Sequence, residues 1–359
     1  MKYYIITGEP SGDIHAANLV NELKKRDSKT NVRAWGGERL ISEGVSLAKN
    51  IKETSFMGIW SIIKNLATIN SNLKFCKKDI LNFQPDALIL VDYPGFNLQI
   101  AEFAKKNQIK VFYYIPPKLW AWNKKRIKKI KKFIDHLLVI FPFEVEFYKK
   151  NGIEAIYVGN PVLDEIKRTK DKFSLETSKP IIALFPGSRK EEIKLILPEM
   201  LTVVDNYPNY QFVIAATNMF ETKFYKTFIK DKKVELLFNE TYELLSNSKA
   251  ALVASGTATL EAALLKTPQV VCYKTNWITY LFAKLLVKIK YISLVNIILN
   301  KEVIKELIQS RLNKKNLTKE LDILLYQKNN VLDDYTSLIK ALNKETPSKN
   351  TAKAIVESI

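Results

Sequence analysis

Cysteine is scarce in this chain of 359 residues, which contains only Cys76 and Cys272, far apart in sequence. A disulfide framework or a structural zinc cluster needs several cysteines at characteristic spacings. Both kinds of stabilisation are therefore excluded. Two isolated thiols fit a protein that works in the reducing cytoplasm.

Long hydrophobic runs are also missing. Residues 1–8 read as a strand that enters a turn, without the apolar core or cleavage site of a signal peptide. The most apolar later stretch, 277–299, is interrupted by Lys284, Lys288 and Lys290. A spanning helix needs about 20 predominantly apolar residues. We therefore expect a soluble or peripheral protein.

Acidic residues are fewer than basic ones, 37 against 56, so the formal net charge is +19. This excess implies an anionic partner, such as nucleic acid, an anionic membrane surface or a phosphorylated substrate. The hydrophobic fraction of 47% is that of a folded globular protein. The length suggests two domains, each with its own core.

The first turn, GEPSGD at 8–13, joins a β-rich run to a helical pattern. This is the beginning of a doubly wound fold, which binds ligands at such turns. The turn is not GxGxxG, so the dinucleotide fingerprint is absent. A capped helix with an acidic first turn explains Asp13. Because an acid and an imidazole on one loop also suit a sugar-hydroxyl site, Glu9 and His15 are candidate catalytic residues.

A nearly continuous apolar strand at 86–91 ends in DYPGFN at 92–97. Such strands are typical of a parallel sheet covered on both faces, and the side chain at the carboxyl end lies on the ligand side. Asp92 could therefore act as a general base if partial burial raises its pKa. Alternatively Asp92 caps the following helix, and the pattern leaves both interpretations open.

Two stretches of the first half are candidates for contact with a membrane. The segment 55–66, SFMGIWSIIKNL, is too rich in apolar residues for a one-sided surface helix, so we expect either an interfacial element or core packing. The pattern over 124–137 predicts an amphipathic helix with a basic face, which suits an anionic membrane unless the face is simply solvated. The residues expected at this acceptor and membrane surface are Phe56, Met57, Trp60, Ile63, Trp120, Trp122, Lys124, Arg126 and Lys128.

The α/β pattern restarts at 181–185 and continues through a PGSR turn into a helix. Arg189 would lie at the ligand-facing end of that strand, where its fork of donors could neutralise a pyrophosphate. A surface ion pair is the alternative interpretation of Arg189.

The segment 255–261, SGTATLE, connects another apolar strand to a helix. The first N–H groups of a helix lack partners and its dipole favours negative charge there, although an ordinary N-cap is the alternative. Thr257 and Thr259 add hydroxyl donors, and Gly256 lets a ligand approach the backbone. Glu261, one turn after Thr257, could accept hydrogen bonds from ribose hydroxyls. Two doubly wound α/β domains facing across a cleft, with anion sites in the second, are typical of a GT-B glycosyltransferase.

Six motifs extend this interpretation. They are GEPSGDIHAA at 8–17, DYPGFN at 92–97, WAW at 120–122, VGNP at 158–161, PGSRKEEI at 186–193 and SGTATLEAAL at 255–264. In this order they closely resemble the motifs of the lipid-A-disaccharide synthase family, over most of the chain up to about residue 310. Single motifs such as SGTATLE recur in other nucleotide-sugar enzymes, but the ordered set is specific.

The resemblance implies an inverting glycosyltransferase without metal or cofactor, which acts in Gram-negative outer-membrane lipid synthesis. It would join UDP-2,3-diacylglucosamine to 2,3-diacylglucosamine 1-phosphate (lipid X), forming a β-1,6-linked disaccharide and releasing UDP. Asp92 matches the family's proposed base for the acceptor 6-hydroxyl. The residues that the turns and the resemblance together assign to UDP-sugar binding are Gly187, Ser188, Arg189, Ser255, Gly256, Thr257, Ala258, Thr259, Glu261 and Asn296.

Five positions depart from the family's motifs, and they bear on acceptor contacts. They are Pro116, Lys118, Asn123, Asn160 and Val295. The substitutions leave Asp92 and the two anion-binding turns intact.

The expected layout has an acceptor- and lipid-binding domain at 1–170 and a UDP-sugar-binding domain at 171–334. A C-terminal helix over 335–359 is expected to pack back on the first domain. The protein would be cytoplasmic and peripherally associated with the anionic inner-membrane surface. The sequence leaves both a monomer and a homodimer open.

Two rival functions remain at this point. Another GT-B UDP-sugar enzyme, such as a UDP-GlcNAc 2-epimerase, would keep SGTATLE but would not need the apolar segment 56–63 or the basic helix. A nucleic-acid-binding protein is suggested by the net charge alone. It would place basic residues among stacking aromatics in a recognised module, and the sequence contains none.

Overall fold

The computed structural model describes residues 1–53, 66–121, 124–169, 178–286, 289–327, 330–342 and 346–359. The expectations for Phe56, Met57, Trp60, Ile63 and Trp122 lie outside these described residues. The chain divides into two compact units. The first holds Met1–Asp164 and Lys344–Ile359, and the second holds Glu165–Asn343.

The first unit is built on a parallel sheet of seven described strands in the order β3-β2-β1-β4-β5-β6-β7. The strands are β1 (Lys2–Ile6), β2 (Asn31–Gly36), β3 (Ser46–Asn50), β4 (Ala87–Val91), β5 (Lys110–Tyr114), β6 (His136–Val139) and β7 (Ala155–Tyr157). All five residues of β4 are fully buried, which explains why this strand is a continuous apolar run in the sequence.

Helices cover both faces of this sheet. They are α1 (Pro10–Arg26), α2 (Glu38–Ser42), α3 (Leu66–Phe83), α4 (Pro94–Lys106), α5 (Ile127–Phe133) and α6 (Pro142–Lys149), and α7 (Val162–Thr169) begins at the end of the unit. Successive residues of β1 point to opposite faces, so Tyr4 and Ile6 join one apolar cluster while Tyr3 and Ile5 join the other. The sheet is therefore the middle of three layers.

The second unit repeats this plan with six described parallel strands in the order β10-β9-β8-β11-β12-β13. The strands are β8 (Ile181–Phe185), β9 (Gln211–Ala216), β10 (Val234–Phe238), β11 (Ser248–Ala254), β12 (Gln269–Tyr273) and β13 (Glu306–Ile308). The helices are α8 (Lys190–Leu201), α9 (Thr222–Ile229), α10 (Thr241–Ser246), α11 (Thr257–Leu264), α12 (Trp277–Leu286), α13 (Leu294–Leu299), α14 (Lys314–Tyr326) and α15 (Val331–Ala341).

In both sheets the order in which the chain adds strands reverses at one point. In the first unit the chain runs outward from β1 to β3 and then returns to the other side of β1 with β4, and in the second unit β8 and β11 stand in the same relation. Ligands of doubly wound folds bind beyond the carboxyl ends of the strands at such a switch point. The predicted pair of doubly wound α/β domains is confirmed. Among the described residues, no helix is both long enough and apolar enough to cross a bilayer.

The segment expected as a single helix over 335–359 contains two helices. The first, α15, belongs to the second unit, whereas the last helix, α16 (Pro347–Val356), belongs to the first unit and packs against α1. Ile355 of α16 is fully buried in the cluster of α1 and the sheet. The backbone N–H and the hydroxyl of Ser348 both donate to the Asp164 carboxylate, at 2.8 and 2.6 Å. The C-terminal segment is therefore part of the first unit's core.

We expect Ile355→Ala to lower the free energy of unfolding by about 2–5 kcal/mol, because it leaves a cavity between α16 and α1. Urea denaturation of the full chain measures the change. Ile359→Ala removes an exposed side chain at the end of the same segment and should change stability by no more than about 0.5 kcal/mol. Equal effects of the two substitutions would contradict the docking of α16.

Candidate active site

The switch point of the first unit brings together the turns that follow β1 and β4. These strands are direct neighbours, with Ile6 paired to Leu90. A Cβ atom added to Gly8 would lie 2.2 Å from Cγ of Tyr93, so the tyrosine ring packs directly on the glycine. Only glycine permits this approach, and the GEPSGD and DYPGFN turns therefore form one site.

Asp92 occupies an unusual backbone conformation. Its φ is 48° and that of Tyr93 is 49°, both in the left-handed region that non-glycine residues rarely adopt. The Asp92 carbonyl accepts hydrogen bonds from Nδ2 of Asn97 at 2.7 Å and from the hydroxyl of Tyr113 at 2.9 Å. The N-cap residue of α4 is Tyr93, so the Asp92 carboxylate is not the helix cap that the sequence left open.

The charge on Asp92 is tuned by its surroundings. Burial and, after it, the Glu9 carboxylate raise its pKa to about 6, although the Lys118 ammonium and the backbone N–H of Tyr93 favour the ionised form. The structure therefore brings together Glu9 and Asp92, which the sequence placed on separate turns, and adds Lys118. A carboxylate with a pKa near 6 is ionised at neutral pH and yet basic enough to accept a proton.

Asp13 and His15, which follow Glu9 in the first turn and α1, differ in their roles. Both carboxylate oxygens of Asp13 accept backbone N–H groups, from Gly37 at 2.6 Å and from Arg39 at 3.0 Å, so Asp13 holds the start of α2 to the turn. Nδ1 of His15 is buried without a hydrogen-bond partner among the described residues. Burial lowers the pKa of His15 to about 4, so His15 is a weaker base than Asp92.

The first turn of α6, which follows β6, carries a buried carboxyl group that was not predicted from the sequence. Glu144 accepts hydrogen bonds from Nε1 of Trp120 at 3.1 Å and from the backbone N–H groups of Ile140 and Phe141. Burial raises the pKa of Glu144 to about 7. The sequence does carry a sign of this role. Glu144 follows Phe141 by three residues at the start of a helix, which is the spacing of a capping box. Trp120, expected at the acceptor surface, is thus half-buried and held by Glu144.

The predicted basic helix is shorter than its pattern. A 3-10 turn over Lys124–Arg126 leads into α5, which buries Ile127, Ile130 and Phe133 against the sheet. The remaining side chains of α5 that face outward are exposed lysines, Lys128, Lys129, Lys131 and Lys132. The helix is therefore amphipathic with a basic outer face.

At the switch point of the second unit, the PGSR turn follows β8. Gly187 has a φ of +106°, and a Cβ there would lie 2.6 Å from Oε2 of Glu192. Arg189 is the N-cap residue of α8, and its Nη1 lies 3.1 Å from Oε1 of Glu192, so the ion pair weighed from the sequence is present. The guanidinium remains exposed over the first turn of the helix. Ser188, beside it, is also exposed.

The SGTATLE turn follows β11, the neighbour of β8. Gly256 is the N-cap residue of α11, and among the described atoms none lies within 4 Å of the Cβ position. Thr257 is exposed and Ala258 half-buried, whereas Thr259 is buried and its hydroxyl donates to the Gly256 carbonyl at 2.8 Å. The Ser255 hydroxyl donates to the Ile292 carbonyl at 3.1 Å. The hydroxyl available to a ligand in this turn is therefore that of Thr257.

A small cavity of about 90 Å³ lies between the start of α8 and the SGTATLE turn. Its lining includes Glu192 of α8, Ser255 of that turn, Tyr273 at the end of β12 and Lys274 after it. The start of α8 and the carboxyl ends of β11 and β12 therefore surround one space within the unit.

Glu261 lies one turn along α11 from Thr257, as expected. Burial raises its pKa to about 7, a hydrogen bond from the Tyr242 hydroxyl favours the ionised form, and the nearby Glu165 carboxylate opposes it. Tyr242 comes from α10 and belongs to none of the motifs, so its role could not be predicted from the sequence.

Asn296 differs from its expected role as a direct UDP contact. It is fully buried, and Oδ1 accepts the backbone N–H groups of Val303 and Ile304 at 2.8 and 3.0 Å. Nδ2 donates to the Ile304 carbonyl at 2.9 Å and to Oε1 of Glu306 at 3.0 Å. All four hydrogen-bonding positions of the amide are occupied, so the side chain fastens α13 to β13 instead of meeting a nucleotide. Among the described residues, no three His, Cys, Asp or Glu side chains are grouped to hold a metal ion.

Solved structures with the same fold bind UDP-sugars. The chain superposes on S. aureus MnaA, solved with UDP, with a TM-score of 0.72 and 14% identity, covering 100% of this chain and 97% of that one. UDP-GlcNAc 2-epimerase of Neisseria meningitidis, solved with UDP-GlcNAc, gives a TM-score of 0.66 and 17% identity, covering 100% and 99%. At these identities the likeness shows the fold alone, and that fold is GT-B.

Sequence relatives are more specific than the fold. A family model described as lipid-A-disaccharide synthetase matches residues 3–359. Lipid-A-disaccharide synthase of Syntrophus aciditrophicus is 37% identical over 340 residues, which cover 90% of this chain and 88% of that protein. The enzyme of the same name from Coxiella burnetii is 33% identical over 365 residues, covering 98% and 96%. Because the model and both relatives match nearly the whole length, the chain belongs to the lipid-A-disaccharide synthase family of glycosyltransferases.

Proposed function

We propose that this enzyme transfers 2,3-diacylglucosamine from its UDP derivative to 2,3-diacylglucosamine 1-phosphate, forming the β-1,6-linked disaccharide 1-phosphate and UDP. The observation that carries the proposal is the Asp92 carboxylate, held on a strained turn at a switch point with its pKa raised to about 6. Strain and a shifted pKa on a ligand-facing turn are typical of a catalytic group.

In the proposed reaction Asp92 is the general base. Its carboxylate takes the proton from the acceptor 6-hydroxyl as that oxygen attacks C1 of the donor sugar. The new O6–C1 bond forms while the bond from C1 to the UDP oxygen breaks, and the electron pair leaves with UDP. A single displacement from the opposite face inverts the configuration at C1 and gives the β-linkage.

The donor is assigned to the second unit. The N-termini of α8 and α11 follow neighbouring strands, and a helix N-terminus stabilises a pyrophosphate through its dipole and its unpaired N–H groups. Gly256 leaves room for a phosphate, and Thr257 and Arg189 supply exposed donors. Glu261, one turn further along α11, is the proposed acceptor for the ribose hydroxyls.

The acceptor and its membrane are assigned to the first unit. Lys118 lies close enough to Asp92 to favour the ionised carboxylate. Its ammonium group would therefore also attract an anionic acceptor bound next to the proposed base. The lysine face of α5 matches an anionic bilayer, where both diacylated substrates would reside. This supports a cytoplasmic enzyme bound peripherally to the inner membrane.

Replacing the proposed base should abolish turnover without loss of the donor site. Asparagine adopts the left-handed conformation readily, so Asp92→Asn keeps the turn while removing the base. We expect kcat to fall by roughly 10²- to 10⁴-fold, with the UDP affinity unchanged in calorimetry. Glu102→Gln changes a surface carboxylate of α4 and serves as the control. Near-normal turnover of Asp92→Asn would transfer the role to Glu9 or His15.

The base also sets the pH dependence. Since Asp92 must be ionised, kcat/KM should fall as the pH drops through about 6. Glu9→Gln removes a negative charge that raises this pKa, so the midpoint should move to lower pH. Lys118→Met removes a positive charge that lowers it, so the midpoint should move to higher pH. Shifts of the same sign in both variants would count against Asp92 as the titrating base.

The donor site is tested through Arg189. A hydrogen bond to a charged group contributes about 1.5–3 kcal/mol, so Arg189→Ala should raise the Kd of UDP roughly 10- to 150-fold. Lys194→Ala removes a cation of the same helix one turn further on and should leave the Kd nearly unchanged. Titration calorimetry with UDP measures both, and equal affinities for wild type and Arg189→Ala would refute the assignment.

A further inference from the structure

Helix α12 of the second unit presents an apolar face to solvent. Trp277 is 61% exposed, Ile278 67% and Leu281 56%. Residues at these spacings lie on one side of a helix, so the three side chains form one patch. Single exposed apolar residues are ordinary, but a contiguous group rimmed by polar residues indicates an interaction surface.

The charged residues of the segment that carries this patch have a single sign. From Lys274 to Lys301 the sequence contains five lysines and no aspartate or glutamate. Lys284 is exposed three residues after Leu281. Lys290 is also exposed, with Nζ 5.0 Å from the centre of the Tyr291 ring. Lys274 and Lys301, at the ends of the segment, pair with Glu199 and Asp334. The surface of α12 therefore combines a tryptophan, aliphatic side chains and the exposed Lys284 and Lys290.

Helix α12 is anchored next to the proposed donor turn. Just before it, the backbone N–H and carbonyl of Thr275 bond to the Gln309 side chain, both at 3.0 Å. After it, the Ile292 carbonyl accepts the Ser255 hydroxyl of the SGTATLE turn. The segment that carries the patch is thus fixed at both ends to the same edge of the sheet.

We propose that α12 lies in the headgroup layer of an anionic phospholipid bilayer, with Trp277, Ile278 and Leu281 among the acyl chains and Lys284 and Lys290 at the phosphates. This rests on the proposed function, in which an acylated UDP-sugar is taken from a membrane. The contact would hold the donor turn at the bilayer surface, separately from the basic face of α5 on the first unit.

The chemistry of the patch favours a bilayer over a protein. Ten residues are too few to span a membrane, but an amphipathic helix with tryptophan and lysine suits its plane. If a second copy of the chain docked on the same face, Lys284 of each copy would lie near Lys284 of the other. The two ammonium groups would repel each other, because the segment supplies no acidic residue to separate them. An anionic headgroup layer instead places negative charge next to both Lys284 and Lys290.

Quenching by brominated lipids tests the insertion directly. The full chain is mixed with phosphatidylglycerol and phosphatidylethanolamine vesicles whose acyl chains carry bromine, and wild type is compared with Trp277→Phe. We expect the wild-type emission to include a quenched component that Trp277→Phe lacks. An equal degree of quenching in the two proteins would overturn the proposal, because the remaining tryptophans would then account for all of it.

Co-sedimentation measures the contribution to binding. The triple variant W277S/I278S/L281S should partition into the same vesicles at least roughly tenfold less than wild type. Its matched control, M219S/Y326S, removes two exposed apolar side chains elsewhere on the unit and should bind normally. Unchanged partition of the triple variant, with or without a change of oligomeric state in sedimentation velocity, would refute the bilayer contact.

Three measurements separate this proposal from the proposed function. The UDP affinity of the triple variant should equal that of wild type, and K284E/K290E, which keeps the apolar face, should lose binding to anionic but not to phosphatidylcholine vesicles. Equal loss on both vesicles would refute the role of the lysines.

Formation of the disaccharide in detergent micelles tests the reaction without a bilayer, so its failure would reject the proposed function whatever the vesicles show.

Discussion

The two hydrogen bonds to the Asp92 carbonyl are the constraint on which the chemistry proposed for the first unit depends. A left-handed conformation at two consecutive non-glycine residues is unfavourable by itself. Asn97 and Tyr113 stabilise it by donating to the same carbonyl oxygen, and both are buried in the packed core. The core thus fixes the direction in which the carboxylate leaves the sheet, and the packing of Tyr93 on Gly8 brings Glu9 alongside.

The second unit uses the same topology for a different purpose. Where the first unit places a carboxylate after its switch-point strands, the second places helix N-termini, a glycine cap and an arginine. One strand order thus carries the proposed base in one unit and the proposed anion site in the other. The difference lies in a few turn residues, which is why fold likeness alone leaves the reaction open.

The sequence predicted the elements and turns better than the roles of single residues. Strand–turn–helix patterns located both switch points, because buried parallel strands are continuous apolar runs and their turns need small residues. Asn296 and Glu144 could not be placed in the same way. Their roles depend on partners such as Glu306 and Trp120 that are brought together only by the tertiary fold. The nearness of Lys118 to Asp92 is likewise a contact between two turns that sequence spacing does not encode.

The burial of Asp92 beside a like charge has a consequence for the whole protein. In the unfolded chain this carboxyl group has its ordinary pKa of 3.8, and in the folded protein about 6. Because the folded value is higher, ionisation opposes folding, and stability falls as the pH rises from 3.8 through 6. At neutral pH the penalty is roughly 2–3 kcal/mol. An isosteric amide at position 92 would escape this penalty, so the proposed catalytic base makes the protein less stable, as expected where stability is exchanged for activity.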